Sequence, residues 1–495
     1  MVEHTLHSLG FYLPEIALVV TLCVIIVADL LMNKKKRSGL ILLAGLLIAI
    51  LLLFLQPDGS ESVFYEMVAA DPFALYFKVL ILIAALFVVL FSLNSRELDG
   101  YQTRIGEYYM LIAGMVFGML MMVSATNILL MFLALEITSI SSYVLAGFTK
   151  KAHKSSEGSL KYIIYGAVSS GIMLYGFTLL IGLTSATDIY SINAALVQGT
   201  GQTLMLNLSI LMIIVGFGFK IAAVPFHFWA PDVYEGASFP VAALLAVASK
   251  IAAFGMMIRF FTVSFIDSTG LTAVGGWSIV SGLHWDLLLG VMAALAMIVG
   301  NLTALKQDNI KRMLAYSSIA HAGYLLMGVV LLTTEGIATI MMYLFIYLFM
   351  NLGAFYVAML FANKTGIEVI SKYKGLGIRS PLAGVALTIF LVSLTGLPPT
   401  AGFVAKLYIF GAAISAGWIW LVAIAGITTV ISLFYYIRVV RNMFFFEPKP
   451  GEEPIYFDSI TRVILYVLII PTLLLGIYFS PLLAAVRDSV FMIGF

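Results

Sequence analysis

Cysteine is almost missing from this sequence: Cys23 is the one thiol among 495 residues. That excludes a disulfide framework and a cysteine-ligated iron–sulfur cluster within the chain, and no metal site is expected. Charge is scarce as well. Charged residues make up 11% and hydrophobic residues 62%, with mean hydropathy +1.07, whereas soluble domains are about a quarter charged and about half apolar. Long polar segments are also lacking, so no soluble domain is expected. The net charge of +2 gives no sign of nucleic-acid binding. The glycine pattern KGLGIRS has neither a preceding strand nor phosphate-cradle spacing and reads as a turn.

What the chain has instead is apolar runs of membrane-crossing length from end to end. Each can satisfy its own backbone hydrogen bonds as a helix, which points to helices rather than a barrel. The runs fall near 11–32, 38–55, 72–94, 107–125, 127–148, 159–184, 204–225, 240–262, 284–305, 310–332, 336–362, 382–415, 417–441 and 461–481, about fourteen transmembrane helices in one membrane domain. The first, followed rather than preceded by Lys34, Lys35, Lys36 and Arg37, reads as a retained span and not a cleaved signal. Loop charge tests the list, because cytoplasmic loops carry the Lys and Arg excess. Loops one, three, five, nine, eleven and thirteen hold that excess: Lys34–Arg37, Arg96 and Arg104, Lys150, Lys151 and Lys154, Lys306, Lys311 and Arg312, Lys364, Lys372, Lys374 and Arg379, and Arg438, Arg441, Lys449 and Arg462. Even-numbered loops such as 56–71, with Asp58, Glu61 and Glu66, are acidic or uncharged. Both termini are therefore expected on the outer, periplasmic side, and 363–380 as a short amphipathic segment along the opposite surface.

Chemistry in such a chain has to reside in ionisable residues inside the spans, where a charge costs about 2.5–3.5 kcal/mol and usually faces the bundle interior. Glu136 in helix five, Lys220 in helix seven, Lys250 in helix eight and Lys406 in helix twelve are far from any helix end. A lone membrane lysine can also snorkel to the headgroups or lock two helices in a static ion pair. Lys78, Arg259 and Asp29, nearer helix ends, are read that way. Glu136 and Lys220 have opposite signs, and as neighbours each would alter the other's proton affinity. Lysine suits proton exchange because it can give up its proton when desolvated, whereas arginine stays charged.

Proline supplies a second, independent signal. Pro225 follows Lys220 by five residues, and Pro398 with Pro399 precedes Lys406. Proline removes a backbone donor and frees carbonyls, which membrane depth tolerates only where protein or water satisfies them. The breaks lie five helices apart, in helices seven and twelve, and an odd offset implies opposite orientation. The expected fold is therefore all-α, with two inverted five-helix repeats: residues 107–262 (helices four to eight) and 284–441 (nine to thirteen), behind helices one to three (11–94) and ahead of helix fourteen (461–481).

Three segments, GFGFKIAAVPFHFWAPDVYEGA, KRMLAYSSIAHAGYLLMG and GLPPTAGFVAKLYIF, resemble signature segments of the N-type (subunit 2) antiporter-like membrane subunits of proton-pumping NADH:quinone oxidoreductase, respiratory complex I. The similarity spans nearly the whole chain. L- and M-type subunits and Mrp-type sodium/proton antiporters typically carry a PFHxWLPDAHxEAPT-like stretch; PFHFWAPDVYEGASFP favours N, as does lysine rather than glutamate at 406. No segment like the long lateral helix of L-type subunits follows helix fourteen.

The resemblance implies that Glu136 and Lys220 form the helix-five and helix-seven pair, with Lys250 as central relay and Lys406 as the far end. Lys161 matches a helix-six lysine that tunes the pair, with snorkelling as the alternative. His227 and His321 would extend the chain of protonatable groups; for His321 the alternative is a satisfied interhelical histidine. FMN, iron–sulfur clusters and quinone are expected in partner subunits and no cofactor in this chain. The expected partners are an M-type subunit, small K-type and J-type subunits and the peripheral redox arm, in a bacterial inner membrane. A stand-alone or Mrp-type antiporter, or a membrane arm driven by hydrogenase, ferredoxin or F420 modules, is the alternative.

Overall fold

The computed structural model describes residues 2–31, 37–57, 59–150, 152–199, 201–271 and 276–493. Lys34, Lys35, Lys36, Asp58 and Lys151 lie outside the described residues. The apolar runs fold as helices. The chain opens with α1 (Val2–Gly10), α2 (Leu13–Leu31), α3 (Arg37–Leu53), α4 (Pro72–Leu93), α5 (Ile105–Ser124), α6 (Ile128–Ala146) and α7 (His153–Thr184). The middle comprises α8 (Ile189–Gln198), α9 (Thr203–Lys220), α10 (Trp229–Gly236), α11 (Phe239–Ala246), α12 (Ala248–Phe265), α13 (Trp285–Ala304) and α14 (Ile310–Val329). Then follow α15 (Thr334–Thr365), α16 (Leu376–Arg379), α17 (Pro381–Thr395), α18 (Ala401–Ser415), α19 (Ile419–Phe444), α20 (Ser459–Leu474) and α21 (Ser480–Asp488). Ten described helical stretches are long and apolar enough to cross a bilayer, and α3, α17, α18 and α20 are shorter apolar helices. The protein is an all-α polytopic membrane protein.

Local chemistry explains where the helices depart from simple runs. The eighth run divides at Val247 into α11 and α12, with neither proline nor glycine at the interruption to announce it. Residues 363–380, expected as a short amphipathic segment, comprise the end of α15, a 3-10 turn at Ile370–Lys372 and the four-residue α16. The last run ends at Leu474, and α21 is a separate short helix. Two antiparallel hairpins, Glu61–Val63 with Val68–Ala70 and Ile266–Leu271 with Trp277–Ile279, close connections that hydropathy leaves as loops.

Hydrogen bonds sort the connections into two ends. At one, Lys311 lies 3.4 Å from Glu97 and 3.3 Å from Glu368, Arg312 lies 2.6 Å from Asp232, and Arg379 lies 3.4 Å from Glu452. This basic end gathers the connections rich in Lys and Arg. At the other, Thr126 bonds Glu66 O, Asn193 bonds Ile266 O, the Trp277 amide bonds Leu332 O, and Arg487 pairs with Glu335.

Burial sets the core. The α11–α12 stretch is wholly buried and α15 nearly so, whereas most of α2 and of α19 lies at the periphery. Lys250 thus stands on the innermost helix. Two charges read as structural find partners: Arg259 grips Asp71 with both terminal nitrogens (2.7 and 2.8 Å), both side chains being fully buried, and Lys78 lies 2.7 Å from buried Glu15. Asp71 also caps α4 through Ala74 N and holds Ile493 N, while Arg259 Nε donates to Val123 O. With every charge answered, the Arg259 pair is a static clamp between α4, α5, α12 and the C-terminal segment.

Candidate functional site

Two helix breaks build the site. α9 ends at Lys220, where Ala222 adopts a left-handed φ of 56° and the Ala223 amide turns back to Gly218 O at 2.8 Å. This closure normally uses glycine; alanine there costs about 1–2 kcal/mol, so strain sits beside a buried lysine. The Phe219 carbonyl accepts from the Ala222 amide and from Trp229 Nε1, both at 3.0 Å. In the second break Gly396 (φ 87°) caps α17, and Leu397 N bonds Val392 O at 3.2 Å. Here the freed Thr395 carbonyl accepts from Lys406 Nζ itself at 2.8 Å. A Cβ on Gly402 would lie 1.8 Å from Ser393 O, so glycine lets α18 pass the end of α17. The Val224–Pro225 and Pro398–Pro399 peptides are cis.

At the first lysine the expected partner is near but not in contact. Lys220 Nζ donates to Ser139 Oγ at 3.0 Å. Glu136, one turn earlier on α6, is close enough to act on Lys220 electrostatically but makes no ion pair with it, and its Oε1 is buried without a hydrogen-bond partner. A carboxylate held short of its lysine is poised to gain or lose that contact with a small movement.

From Lys250 onward the polar groups form a series. Lys250 Nζ donates to Ser318 O, and Ser318 Oγ lies 2.9 Å from Tyr347 OH. One turn along α14, His321 Nδ1 lies 2.7 Å from Tyr343 OH and feels the charge of both Lys250 and Lys406. A further turn along, Tyr324 OH lies 3.2 Å from Thr429 Oγ1, which accepts from Lys406 Nζ at 3.3 Å. The Lys406 amine also stands 4.6 Å above the Tyr324 ring, a cation–π geometry. On α15, Thr339, Tyr343, Tyr347 and Asn351 recur every fourth residue and so share one face; all four are buried.

His321 therefore sits between the two lysines. His227 does not join the series: it is buried in the first break against the Phe228 ring at 4.4 Å, and its Nδ1 has no partner. Lys161 lies at the basic end, 2.6 Å from Asp232 and 2.8 Å from Glu157, rather than against Glu136 or Lys220. There Arg312 joins Asp232 at 2.6 Å and Glu235 at 3.0 Å. Burial alone would raise the Asp232 carboxyl, but hydrogen bonds from Lys161 and Arg312, with their charges, hold it below the usual carboxylate range. Ser139, Ser318, Tyr343, Tyr347, Tyr324 and Thr429 were not among the expected site residues; the four-residue spacing on α15 is the sequence signal that would have exposed two of them.

Buried lysines on broken and central helices, with hydroxyls and one histidine placed between Lys250 and Lys406, define a membrane protein that handles charge inside the bilayer. The chain belongs to the NADH:quinone oxidoreductase/Mrp antiporter transmembrane family, whose model matches residues 125–432. It is 44% identical to "NADH-quinone oxidoreductase subunit N 2" of Chloroherpeton thalassium, over 98% of this chain and 94% of that protein. It is 41% identical to "NADH-quinone oxidoreductase subunit N" of Chlorobium chlorochromatii, over 98% and 96%. Among solved structures, a chain of respiratory complex I from Thermus thermophilus with bound aureothin superposes with a TM-score of 0.76 at 29% identity, covering 96% of this chain and 99% of that one.

Proposed function

We propose that this chain is the N-type, proton-translocating membrane subunit of an NADH:quinone oxidoreductase, moving protons along Glu136, Lys220, Lys250, His321 and Lys406. The observation that carries the reading is the buried series from Lys250 through Ser318, His321 and Tyr324 to Thr429 and Lys406. Amines that can exchange protons, spaced by hydroxyls that accept and donate, meet the requirement of a relay. Quinone reduction elsewhere in the complex shifts the Glu136–Lys220 interaction; Lys220 leaves Ser139 for the carboxylate or returns, and the change passes to Lys250. Helices four to eight and nine to thirteen act as inverted repeats around the breaks at Pro225 and at Pro398 and Pro399.

FMN, iron–sulfur clusters and quinone belong to partner subunits, and this chain carries no redox centre. Its partners are an M-type subunit, the small K-type and J-type subunits and the peripheral arm. The basic end faces the cytoplasm of a bacterial inner membrane, with both termini outside. Lys161 and Asp232 tune access at the basic end rather than carry the proton, and His227 stands in the first break, off the main path.

Lys250→Ala in the assembled complex tests the reading: quinone-linked proton pumping should fall while the complex still assembles. Normal pumping would overturn it, and a defect confined to assembly would leave only a scaffolding role. Cation/proton exchange by the subunit without redox partners would favour the stand-alone antiporter.

A further inference from the structure

Where α19 meets the end of α13, a groove of about 450 Å³ is lined by Leu305, Leu433, Phe434 and Ile437, with Arg438 and Arg441 toward the basic end. Tyr435 also lines it, but its hydroxyl is spent on Asn301 Oδ1 at 2.9 Å. Phe434 is 66% exposed and Ile437 43%, so the groove opens on the lipid-facing flank. Its α19 wall, Leu433 to Arg441, covers about 12 Å of helix, close to the ~15 Å of hydrocarbon in one leaflet. The Arg438 guanidinium donates to Leu305 O at 3.0 Å and to Gln307 O, while its Nε is buried without an acceptor. Those carbonyls fix the fork but bring no net negative charge. Cations at this end are ordinary; an unanswered one held out of water is not. Among the described residues, Lys161, Lys311, Arg312 and Arg379, the other cations at least partly buried at the basic end, each have a carboxylate within 3.4 Å. Arg438 has none, and neither does Arg441, three residues on and so on the same side of α19.

We infer that this groove seats one anionic phospholipid, its phosphate held by Arg438 and Arg441 and one acyl chain lying along Leu305, Leu433, Phe434 and Ile437. Guanidinium groups match phosphate oxygens in geometry and charge. A phosphodiester with no ammonium of its own supplies the negative charge the two arginines lack, whereas a zwitterionic lipid brings a third cation to them. The apolar trough settles the rest of the molecule: soluble phosphate has nothing to place there, and an acyl chain does. The effect of binding falls on α19. That helix carries Thr429, which accepts from Lys406 Nζ at 3.3 Å, and Tyr435, which bonds Asn301 of α13. A lipid in the groove fills the outer side of the α13–α19 contact and steadies it. The site stands on the groove and its charges and does not depend on the relay reading.

The test uses the assembled complex in phosphatidylcholine vesicles doped with a trace of phosphatidylglycerol or phosphatidylcholine that carries a photoactivatable group in its acyl chain. Labelled peptides are mapped by mass spectrometry, with the exposed α7 face around Val168 and Tyr175 as the reference for lipid that merely surrounds the protein. Two cations at the surface favour an anionic lipid by roughly 5-fold each. Residues 433–441 should therefore take phosphatidylglycerol over phosphatidylcholine by about 30-fold, against near equality on α7. Arg441→Gln should reduce the preference to about 5-fold, and Arg438→Gln with Arg441→Gln to the α7 level. Ile437→Trp, which fills the trough and keeps both arginines, should lower phosphatidylglycerol labelling there. Arg438→Gln also removes two carbonyl bonds; Arg441→Gln and Ile437→Trp leave them intact and carry the test if the double variant does not assemble. Equal labelling of 433–441 by the two lipids, or unchanged labelling in both single variants, overturns the site. So does a preference erased by excess inorganic phosphate, which makes the ligand a free anion, or a groove that neither lipid reaches, which makes a neighbouring subunit its occupant.

Discussion

Lys220 hydrogen-bonds Ser139 rather than Glu136, although the carboxylate is only one helical turn from the serine. The serine holds the lysine at rest and leaves the carboxylate in reserve. Ser139→Ala removes that resting place without adding charge. It should leave assembly intact and raise electron transfer relative to proton transfer, read as fewer protons pumped per electron. A neutral hydrogen bond contributes only about 0.5–1.5 kcal/mol to stability, so a large assembly defect would contradict this role.

Tyr343 holds the ring of His321 through Nδ1. Tyr343→Phe should slow pumping while costing little stability, for the same reason. Paired measurements of quinone reduction and vesicle acidification check this; equal pumping in the variant and the parent would remove His321 orientation from the mechanism.

The Asp71–Arg259 clamp should behave in the opposite way. Removing one member of a buried ion pair strands the other and costs about 3–5 kcal/mol. Asp71→Ala should therefore lower the thermal midpoint of the solubilised complex and the amount of subunit incorporated. Pumping per electron in the surviving complexes should be normal.

At the basic end, Asp232 is held below the ordinary carboxylate range by Lys161 and Arg312, with Glu157, Glu235 and Lys154 paired alongside. A depressed carboxyl contributes stability that is present above its unfolded value, about 3.9, and is lost as pH falls through the folded value. Amide exchange at the start of α7 and of α14, taken relative to the intrinsic rate at each pH, should accelerate on acidification. In Asp232→Asn it should be faster at neutral pH and less sensitive to acid. Identical acid responses would show that Asp232 does not hold this end together.

Much of this arrangement is legible in the sequence because burying charge is expensive. Lys220, Lys250 and Lys406 stand out in apolar runs, and Pro225, Pro398 and Pro399 mark the breaks beside two of them. Arg259 and Lys78 are legible as structural charges, but Asp71 and Glu15, distant in sequence, are found only in the fold. The hydroxyl series is harder to see. Serine, threonine and tyrosine cost little inside a helix, so Ser318, Tyr324 and Thr429 raise no anomaly until α14, α18 and α19 are packed together. The interruption at Val247 has no proline or glycine to announce it. The Lys161 position shows the limit of resemblance: Asp232, from the short helix beyond the first break, claims its charge.

Whether Lys220 exchanges protons or only supplies charge is decided by comparing Lys220→Ala with Lys220→Arg in the assembled complex, recording protons pumped per electron passed to quinone. Arginine keeps the charge but does not release its proton. Both variants should pump fewer protons per electron than the parent, with arginine giving no rescue. Full pumping in Lys220→Arg would contradict proton exchange at this lysine and leave it an electrostatic post.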